Sequence, residues 1–181
     1  LPLRLFIGEN INSSLTVHEV AKGYASAGVC GMSVLTDLKY FGGSLEDLTA
    51  ARAVCDLPLL RKEFIIDPYQ LVEAKAHGAD VILLIAAVLD RQQIQSLSST
   101  AQSLGLEVLL EVHNAEELQK AIMPSIDMMG VNNRNLKTFD VSLDTSKTLA
   151  EKIPDDFVKV SESGISTVSA IESLKPYGYQ G

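Results

Sequence analysis

Short apolar runs rich in Val, Ile and Leu recur along the chain, and they alternate with segments whose apolar residues have helical spacing. The apolar runs predict six β-strands, at 29–35, 57–60, 80–87, 106–112, 126–131 and 157–162. The intervening segments predict helices at 16–28, 45–54, 68–79, 91–105, 115–122 and 144–153. Several of these end in Gly, as helices commonly do. The order is therefore a repeated alternation of helix and strand.

Strands that are apolar almost throughout, and that are separated by helices, indicate a parallel sheet covered on both faces. Two α/β architectures have this pattern. A doubly wound open sheet usually carries a Gly-rich loop after its first strand, but no GxGxxG follows any predicted strand here. A TIM (β/α)8 barrel instead places polar functional residues at the carboxyl ends of several strands. The sequence has this second pattern, so we predict a barrel.

Polar residues lie at or just after the carboxyl end of every predicted strand except the one at 80–87, which ends apolar. They are Thr36 and Asp37, Lys62 and Glu63, Glu111 and His113, Asn132, Asn133 and Arg134, and Ser161, Glu162, Ser163 and Gly164. In a barrel these strand ends converge on one bowl, where a cation, a carboxylate, an amide and a Gly-containing turn would face a common ligand. The pattern therefore predicts a catalytic site.

Each of these residues also has a structural interpretation when it is taken alone. Lys62 is compatible with a surface lysine whose stem lies on apolar surface, and Glu111 with a loop carboxylate. NNRN at 132–135 is compatible with a turn, and SESGIS at 161–166 with an N-cap and a tight turn. Phe41 alone is expected to pack rather than to contact a ligand. Only the succession of four such strand ends favours a site.

Length and charge restrict the class of protein. A chain of 181 residues that is 46% hydrophobic is long enough for one domain with a full core, and we assign residues 1–181 to a single domain. A net charge of −8 argues against a nucleic-acid or membrane-surface binder, because no basic stripe is present to meet phosphates. A local basic pocket for one small anion is still compatible with this charge.

The cysteines and histidines predict neither a disulfide nor a metal. Cys30 and Cys55 lie in apolar surroundings in a chain with no secretory signal, so we expect buried free thiols and a cytoplasmic protein. His18, His77 and His113 lack the spacing of metal ligands, and no metal or other cofactor is predicted. No apolar run approaches the ~20 residues of a membrane-spanning helix.

The motifs taken in order resemble a known family. SVLTDLKYFGGS, LPLLRKEFIIDPYQ, GADVILLIAAVL, LEVLLEVH, MMGVNNRNLKTFDV and VKVSESGIST, spanning about residues 16–178, are similar to the successive signatures of indole-3-glycerol phosphate synthase. The resemblance implies a TIM barrel and a carboxy-lyase of tryptophan biosynthesis. Its reaction closes the pyrrole ring of 1-(2-carboxyphenylamino)-1-deoxyribulose 5-phosphate, with loss of carbon dioxide and water, to give indole-3-glycerol phosphate.

The resemblance also implies roles for individual residues. Lys62 matches the lysine that protonates the ribulose carbonyl as general acid, and Glu111 matches the glutamate of the later proton transfers. Asn132 matches an asparagine that orients the glutamate by a hydrogen bond. The implied substrate-binding residues are Phe41 beside the anthranilate ring, Arg134 near the carboxylate that leaves, and Ser163 with Gly164 at the turn that meets the phosphate.

The two ends of the chain depart from the family pattern. Residues 1–15 carry LPLRL where a first strand with a second catalytic lysine and a SPSKG-like segment is expected, and the eighth strand is not found after SESGI. We therefore expect an incomplete barrel that holds strands two to seven of eight, with open edges on strands two and seven. Open edges are a template for association, so self-association is predicted.

These departures leave a second function open. The chain as it stands could be a catalytically silent, self-associating fragment of the enzyme, and we expect its own activity to be low. A third and weaker alternative is another phosphate-sugar barrel, such as the isomerase that acts one step earlier in the pathway. That reaction is not expected to use a lysine in LRKEF together with a glutamate in LLEVH.

Overall fold

The computed structural model describes residues 15–40 and 42–181. The strands are β1 (Met32–Leu35), β2 (Leu59–Lys62), β3 (Val81–Ile85), β4 (Glu107–Val112), β5 (Met128–Asn132) and β6 (Val158–Glu162). The helices are α1 (Val17–Ser26), α2 (Leu45–Arg52), α3 (Pro68–Ala76), α4 (Arg91–Ser103), α5 (Ala115–Ala121), α6 (Asp144–Ala150) and α7 (Val168–Leu174), followed by a 3₁₀ turn at Lys175–Tyr177. All six predicted strands and all six predicted helices are confirmed.

Hydrogen-bonded strands follow one another in chain order, β1-β2-β3-β4-β5-β6. By its contacts the described chain divides into two compact units. The first comprises the residues up to Leu83 together with Thr100–Glu107, and the second comprises Leu84–Ser99 and Val108–Gly181.

In the first unit β2 pairs in parallel with β1 and with the start of β3. Leu35 is opposite Lys62, and Arg61 is opposite Ile82. All five residues of β3 are buried, which is the burial pattern of a parallel strand covered on both faces. α3 begins where its sequence dictates, because Asp67 caps the helix in a capping box with Gln70 and Pro68 occupies the first turn.

In the second unit β5 lies between β4 and β6, and all three are parallel. Gly130 of β5 is opposite Glu111 of β4 and Val160 of β6, and Asn132 is opposite Glu162. Because side chains alternate between the two faces of a strand, Glu111, Gly130, Asn132, Val160 and Glu162 share one face. The opposite face packs against the helices, where Lys159 donates to the Ala150 carbonyl oxygen of α6.

The expectation of an open edge on the last strand is wrong for part of β6. Gln180 N donates to Lys159 O at 2.9 Å, and Ser161 N donates to Gly181 O at 2.9 Å. Tyr179 secures this terminal segment, because its hydroxyl donates to the Ser146 carbonyl oxygen of α6 at 2.7 Å. This part of the strand therefore does not present unpaired backbone groups.

Two further details differ from the sequence-based expectation. Helix α7 was not predicted; it begins after the N-cap Thr167, and two of its apolar residues, Val168 and Ile171, are 71% and 50% exposed. Both cysteines are free as expected, but only Cys55 is buried, since Cys30 lies exposed in the loop before β1.

Candidate active site

The charged residues at the end of β2 divide between its two faces. Arg61 and Glu63 are 3% and 8% exposed, and alternation places Lys62 between them on the other face. The guanidinium of Arg61 donates to Thr36 Oγ1 at 3.1 Å and to the carbonyl oxygen of Gln70 in α3. The two helix-facing charges are thus structural, with Arg61 inside the strand and Glu63 directly after it.

We call Thr36, Arg61, Glu63 and Glu73 the Arg61 cluster. The guanidinium lies 3.7 Å from the Glu63 carboxylate and 3.4 Å from that of Glu73. Glu63 also accepts a hydrogen bond from Phe64 N at 2.9 Å. Burial nevertheless raises the pKa of Glu63, and it outweighs that hydrogen bond and the attraction of Arg61.

A second buried cluster of charged residues lies at the end of β4. We call Glu111, His113 and Glu117 the His113 cluster. His113 Nε2 lies 3.1 Å from Glu111 Oε1, and its Nδ1 lies 3.0 Å from Glu117 Oε2. The side chains are 4%, 9% and 14% exposed in chain order. The direction of the Nε2–H falls outside hydrogen-bond geometry, so its contact with Glu111 is an ion pair.

The start of α5 fixes one side of this cluster. Asn114 is the N-cap, and its Oδ1 accepts Glu117 N at 2.9 Å while its Nδ2 donates to Glu117 Oε1 at 2.8 Å. His113 N donates to Glu117 Oε2 at 2.8 Å. The Glu117 carboxylate is therefore held in place by the first turn of the helix.

These contacts set the charge state of the cluster. Burial acts to lower the pKa of His113, but Glu111 and Glu117 outweigh it and raise that pKa to about 9. Burial also acts to raise the pKa of Glu117, but its hydrogen bonds and ion pair with His113 lower that pKa overall. At neutral pH His113 is therefore an imidazolium between two carboxylates.

Gly130 brings a third carboxylate close to this level of the sheet. A Cβ on Gly130 would lie 2.3 Å from Glu162 Oε1, so only a glycine leaves room for that carboxylate. Since Gly130 is opposite Glu111 in the register, the carboxyl ends of β4, β5 and β6 meet here. The prediction that polar strand ends converge is confirmed for these three strands.

Asn132 and Arg134 line a cavity of about 640 Å³ together with His113 and Glu117. Asn132 Oδ1 accepts a hydrogen bond from Arg134 N at 2.9 Å, which shapes the chain as it leaves β5. Asn135 Oδ1 accepts Lys137 N at 2.8 Å, so the interpretation of NNRN as a turn also applies. That Asn132 orients Glu111 stays a prediction.

The turn after β6 has an uncommon backbone conformation. Ser163 and Gly164 have φ of 68° and 76°, two successive left-handed residues of which one is not glycine. Asn133 holds the turn, because its Nδ2 donates to Ser163 O at 3.1 Å and to Ser161 Oγ at 3.0 Å. The interpretation of SESGIS as a tight turn is confirmed, while the N-cap of α7 is Thr167.

Two predicted site residues remain, Lys62 and Phe41. Lys62 belongs to the first unit, where its carbonyl oxygen accepts Thr36 N at 3.1 Å. Phe41 lies outside the described residues.

Sequence reasoning placed His113 at a strand end but gave it no role, and it missed Glu117. The signal that could have found Glu117 is a carboxylate four residues after His113, at the third position of a helix capped by Asn114.

The described residues contain neither a cluster of metal ligands nor a membrane-spanning helix. No group of three or more His, Cys, Asp and Glu side chains within 15–40 and 42–181 is arranged to hold a metal ion. No helix in the same residues has the length and apolar character needed to cross a membrane.

Comparison with known proteins decides the family. The profile described as indole-3-glycerol phosphate synthase matches residues 8–181. The chain belongs to the indole-3-glycerol phosphate synthase family. A relative of that name from Bacteroides thetaiotaomicron is 51% identical over 163 residues, which are 90% of this chain and 62% of the relative. One from Albidiferax ferrireducens is 51% identical over 149 residues, 82% of this chain and 56% of the relative.

Solved structures of other proteins share the fold at low sequence identity. An HpcH/HpaI aldolase from Desulfitobacterium hafniense has a TM-score of 0.73 at 10% identity, over 92% of this chain and 81% of its own. A 3-keto-L-gulonate-6-phosphate decarboxylase from Vibrio cholerae has a TM-score of 0.67 at 17% identity, over 87% and 74%. The described residues therefore form an incomplete TIM (β/α)8 barrel, as predicted. The chain spans about three fifths of the length of the curated relatives it matches.

Proposed function

We propose that this member of the indole-3-glycerol phosphate synthase family carries out ring closure of 1-(2-carboxyphenylamino)-1-deoxyribulose 5-phosphate. The products are indole-3-glycerol phosphate, carbon dioxide and water. The observation that carries the proposal is the family match over residues 8–181, in which Glu111 of the LLEVH motif sits buried beside a charged histidine at the end of β4.

Lys62 is the proposed general acid of the first step. The ring carbon that bears the carboxylate attacks the ribulose carbonyl, and the carbonyl oxygen must gain a proton as the carbon–carbon bond forms. Arg61 and Glu63 are committed to the helix-facing side of β2. This arrangement supports Lys62 as the cation of the strand that serves the reaction.

Glu111 is the proposed group for the proton transfers that follow loss of carbon dioxide. Dehydration needs a base to take a proton and an acid to release the hydroxyl as water. A carboxylate next to an imidazolium is favoured in its charged form, which suits the base. Asn132, two residues beyond Gly130 on the same face of β5, is proposed to orient Glu111 through its amide.

Arg134, Phe41, Ser163 and Gly164 are the proposed substrate-binding residues. Arg134 lines the cavity beside Asn132, where a cation suits the anthranilate carboxylate. Its attraction for that carboxylate favours the ground state, so we assign Arg134 to binding rather than to rate. The left-handed turn at 163–164 suits a phosphate, since backbone N–H groups bind anions without a side-chain charge.

Direct turnover tests the proposal. Purified protein is incubated with the carboxyphenylamino-deoxyribulose phosphate, while indole fluorescence reports product and labelled carboxylate reports carbon dioxide. We expect the two products in equal amounts and at a low rate. Substrate that stays intact at saturating concentration, with folded protein present, would contradict the proposed activity and favour the catalytically silent fragment. Self-association of the chain stays a prediction, and light scattering on the same preparations tests it.

A further inference from the structure

His113 contacts the candidate catalytic Glu111 and lines the same cavity as Arg134. Its ring spans the gap between Glu111 on β4 and Glu117 on α5, at 3.1 Å and 3.0 Å, with its side chain 9% exposed. Glu117 is fixed by the capped start of α5, so the imidazole has one immobile partner and one partner at the candidate catalytic position.

We propose that His113 is a positioning residue that, as an imidazolium anchored by Glu117, keeps the Glu111 carboxylate ionised for proton abstraction. The inference rests on the proposed function, because it assigns His113 a task in the reaction ascribed to Glu111. Glu111, His113 and Glu117 then form a carboxylate–imidazolium–carboxylate array. No proton needs to leave His113 during turnover.

The charges around the cluster favour this arrangement. Besides Glu111 and Glu117, which contact His113, the charged residues Arg134, Lys137 and Asp140 line the same cavity as His113. Glu162 on β6 reaches Gly130, which is opposite Glu111 in the register. A third carboxylate near this level makes ionisation of Glu111 costlier, and a cation at His113 offsets that cost.

The protonation state of His113 fits the proposal whether or not the protein turns over substrate. The pKa of His113 is raised to about 9 by the two carboxylates against the opposing effect of burial. Over the pH range in which a carboxylate base acts, the imidazole therefore keeps its charge. A histidine that served as the proton carrier itself would need a pKa near the operating pH.

Histidine NMR tests the pairing without substrate. In protein labelled with ¹⁵N-histidine, the His113 ring signals are assigned by their loss in His113→Gln, and the exposed His18 supplies a control variant, His18→Gln. We expect His113 to titrate near pH 9. Its midpoint should fall by about 1–3 pH units in Glu111→Gln and also in Glu117→Gln. A midpoint below pH 7, or one that Glu111→Gln leaves in place, would overturn the proposal.

The pH profile of turnover tests the consequence. We expect the acid limb of the kcat profile to move up by about 1–3 pH units in His113→Gln, with KM within a few-fold of the parent. In Glu117→Gln the imidazole still carries its charge at the acid limb, so that limb should stay in place while kcat falls because the anchor of His113 is lost, which keeps the test available if His113→Gln does not fold. An acid limb that stays in place in folded His113→Gln, or a parental kcat in Glu117→Gln, would overturn the proposal. Loss of turnover in the parent protein would instead count against the proposed function and leave the NMR result to decide the pairing.

Discussion

The Arg61 cluster and the His113 cluster are both buried groups of charges at a strand end, yet they differ in what surrounds them. Arg61 donates to a hydroxyl, a carbonyl oxygen and a carboxylate on its helix-facing side. His113 and Glu117 instead line a cavity of about 640 Å³. A guanidinium is charged at every accessible pH, whereas an imidazole titrates. The two clusters therefore share burial and charge, and they differ in access to the cavity and in whether their cation titrates.

The largest effect is expected from Glu111→Gln. A group that moves protons in the transition state contributes ~10²–10⁴ in rate and little to ground-state binding, so kcat should fall by that factor with KM within a few-fold. The control is Glu107→Gln, an exposed carboxylate on the same strand, which should keep parental turnover. A kcat for Glu111→Gln within threefold of the parent would end the assignment.

Removing the cation of the Arg61 cluster should destabilise the fold, and not only lower turnover. Arg61→Met leaves the Glu63 carboxylate buried without its cation, and breaking a buried ion pair costs about 3–5 kcal/mol. The free energy of unfolding in urea measures this loss. Lys147→Met removes an exposed pair with Asp144 and should change stability by less than about 1 kcal/mol. Equal losses in the two variants would remove the distinction between the clusters.

Much of this comparison could have been predicted from the sequence, and part could not. The apolar runs located all six strands, and the motif LLEVH located Glu111. The pairing of His113 with Glu117 depends on the N-cap at Asn114, which fixes the first turn of α5 only once the helix has formed. The role of Arg61 depends on the position of α3, and no local pattern in RKE distinguishes it from Lys62. Helix α7 was missed although Val168, Ile171 and Leu174 have helical spacing after the N-cap Thr167.

Gly130→Ala should affect turnover more than stability. The added Cβ would meet Glu162 Oε1, the far end of a flexible side chain, so the fold accommodates it at a cost of about 1 kcal/mol. The carboxylate must move, and displacement of a group at the site is expected to lower kcat by ~10–10². Gly23→Ala, inside α1 with nothing near the new methyl, is the control; it should leave turnover unchanged and raise stability by about 0.5–1 kcal/mol, because alanine favours a helix over glycine. Parental turnover in Gly130→Ala would separate Glu162 from the site.

A further effect is expected in the pH dependence of stability. The pKa of His113 is raised from 6.5 to about 9, so its contribution to stability is complete below pH 6.5 and is lost as the pH rises through 9. Unfolding free energies at pH 6 and pH 9.5 should differ by about 3 kcal/mol more in the parent than in His113→Gln. Similar differences in both proteins would contradict the ion pair.

The Arg61 cluster should respond in another pH range. Burial raises the pKa of Glu63 above its ordinary 4.5, so the folded state holds that proton more tightly than the unfolded state. Stability should therefore decline as the pH rises from 4.5 through the raised value, and Glu63→Gln should abolish this decline. Urea unfolding between pH 4 and 7 measures it, and a decline that persists in Glu63→Gln would show that another group is responsible.

The most direct test of the proposed chemistry is a single-turnover experiment that follows carbon dioxide and indole fluorescence in the same sample for Lys62→Met and Glu111→Gln. We predict that Lys62→Met binds substrate and releases no carbon dioxide, because ring closure precedes decarboxylation. In Glu111→Gln carbon dioxide should appear while indole formation lags behind it, because only the later proton transfers are impaired. Carbon dioxide release at the parental rate in Lys62→Met, or parallel loss of both products in Glu111→Gln, would contradict the division of roles between the two residues.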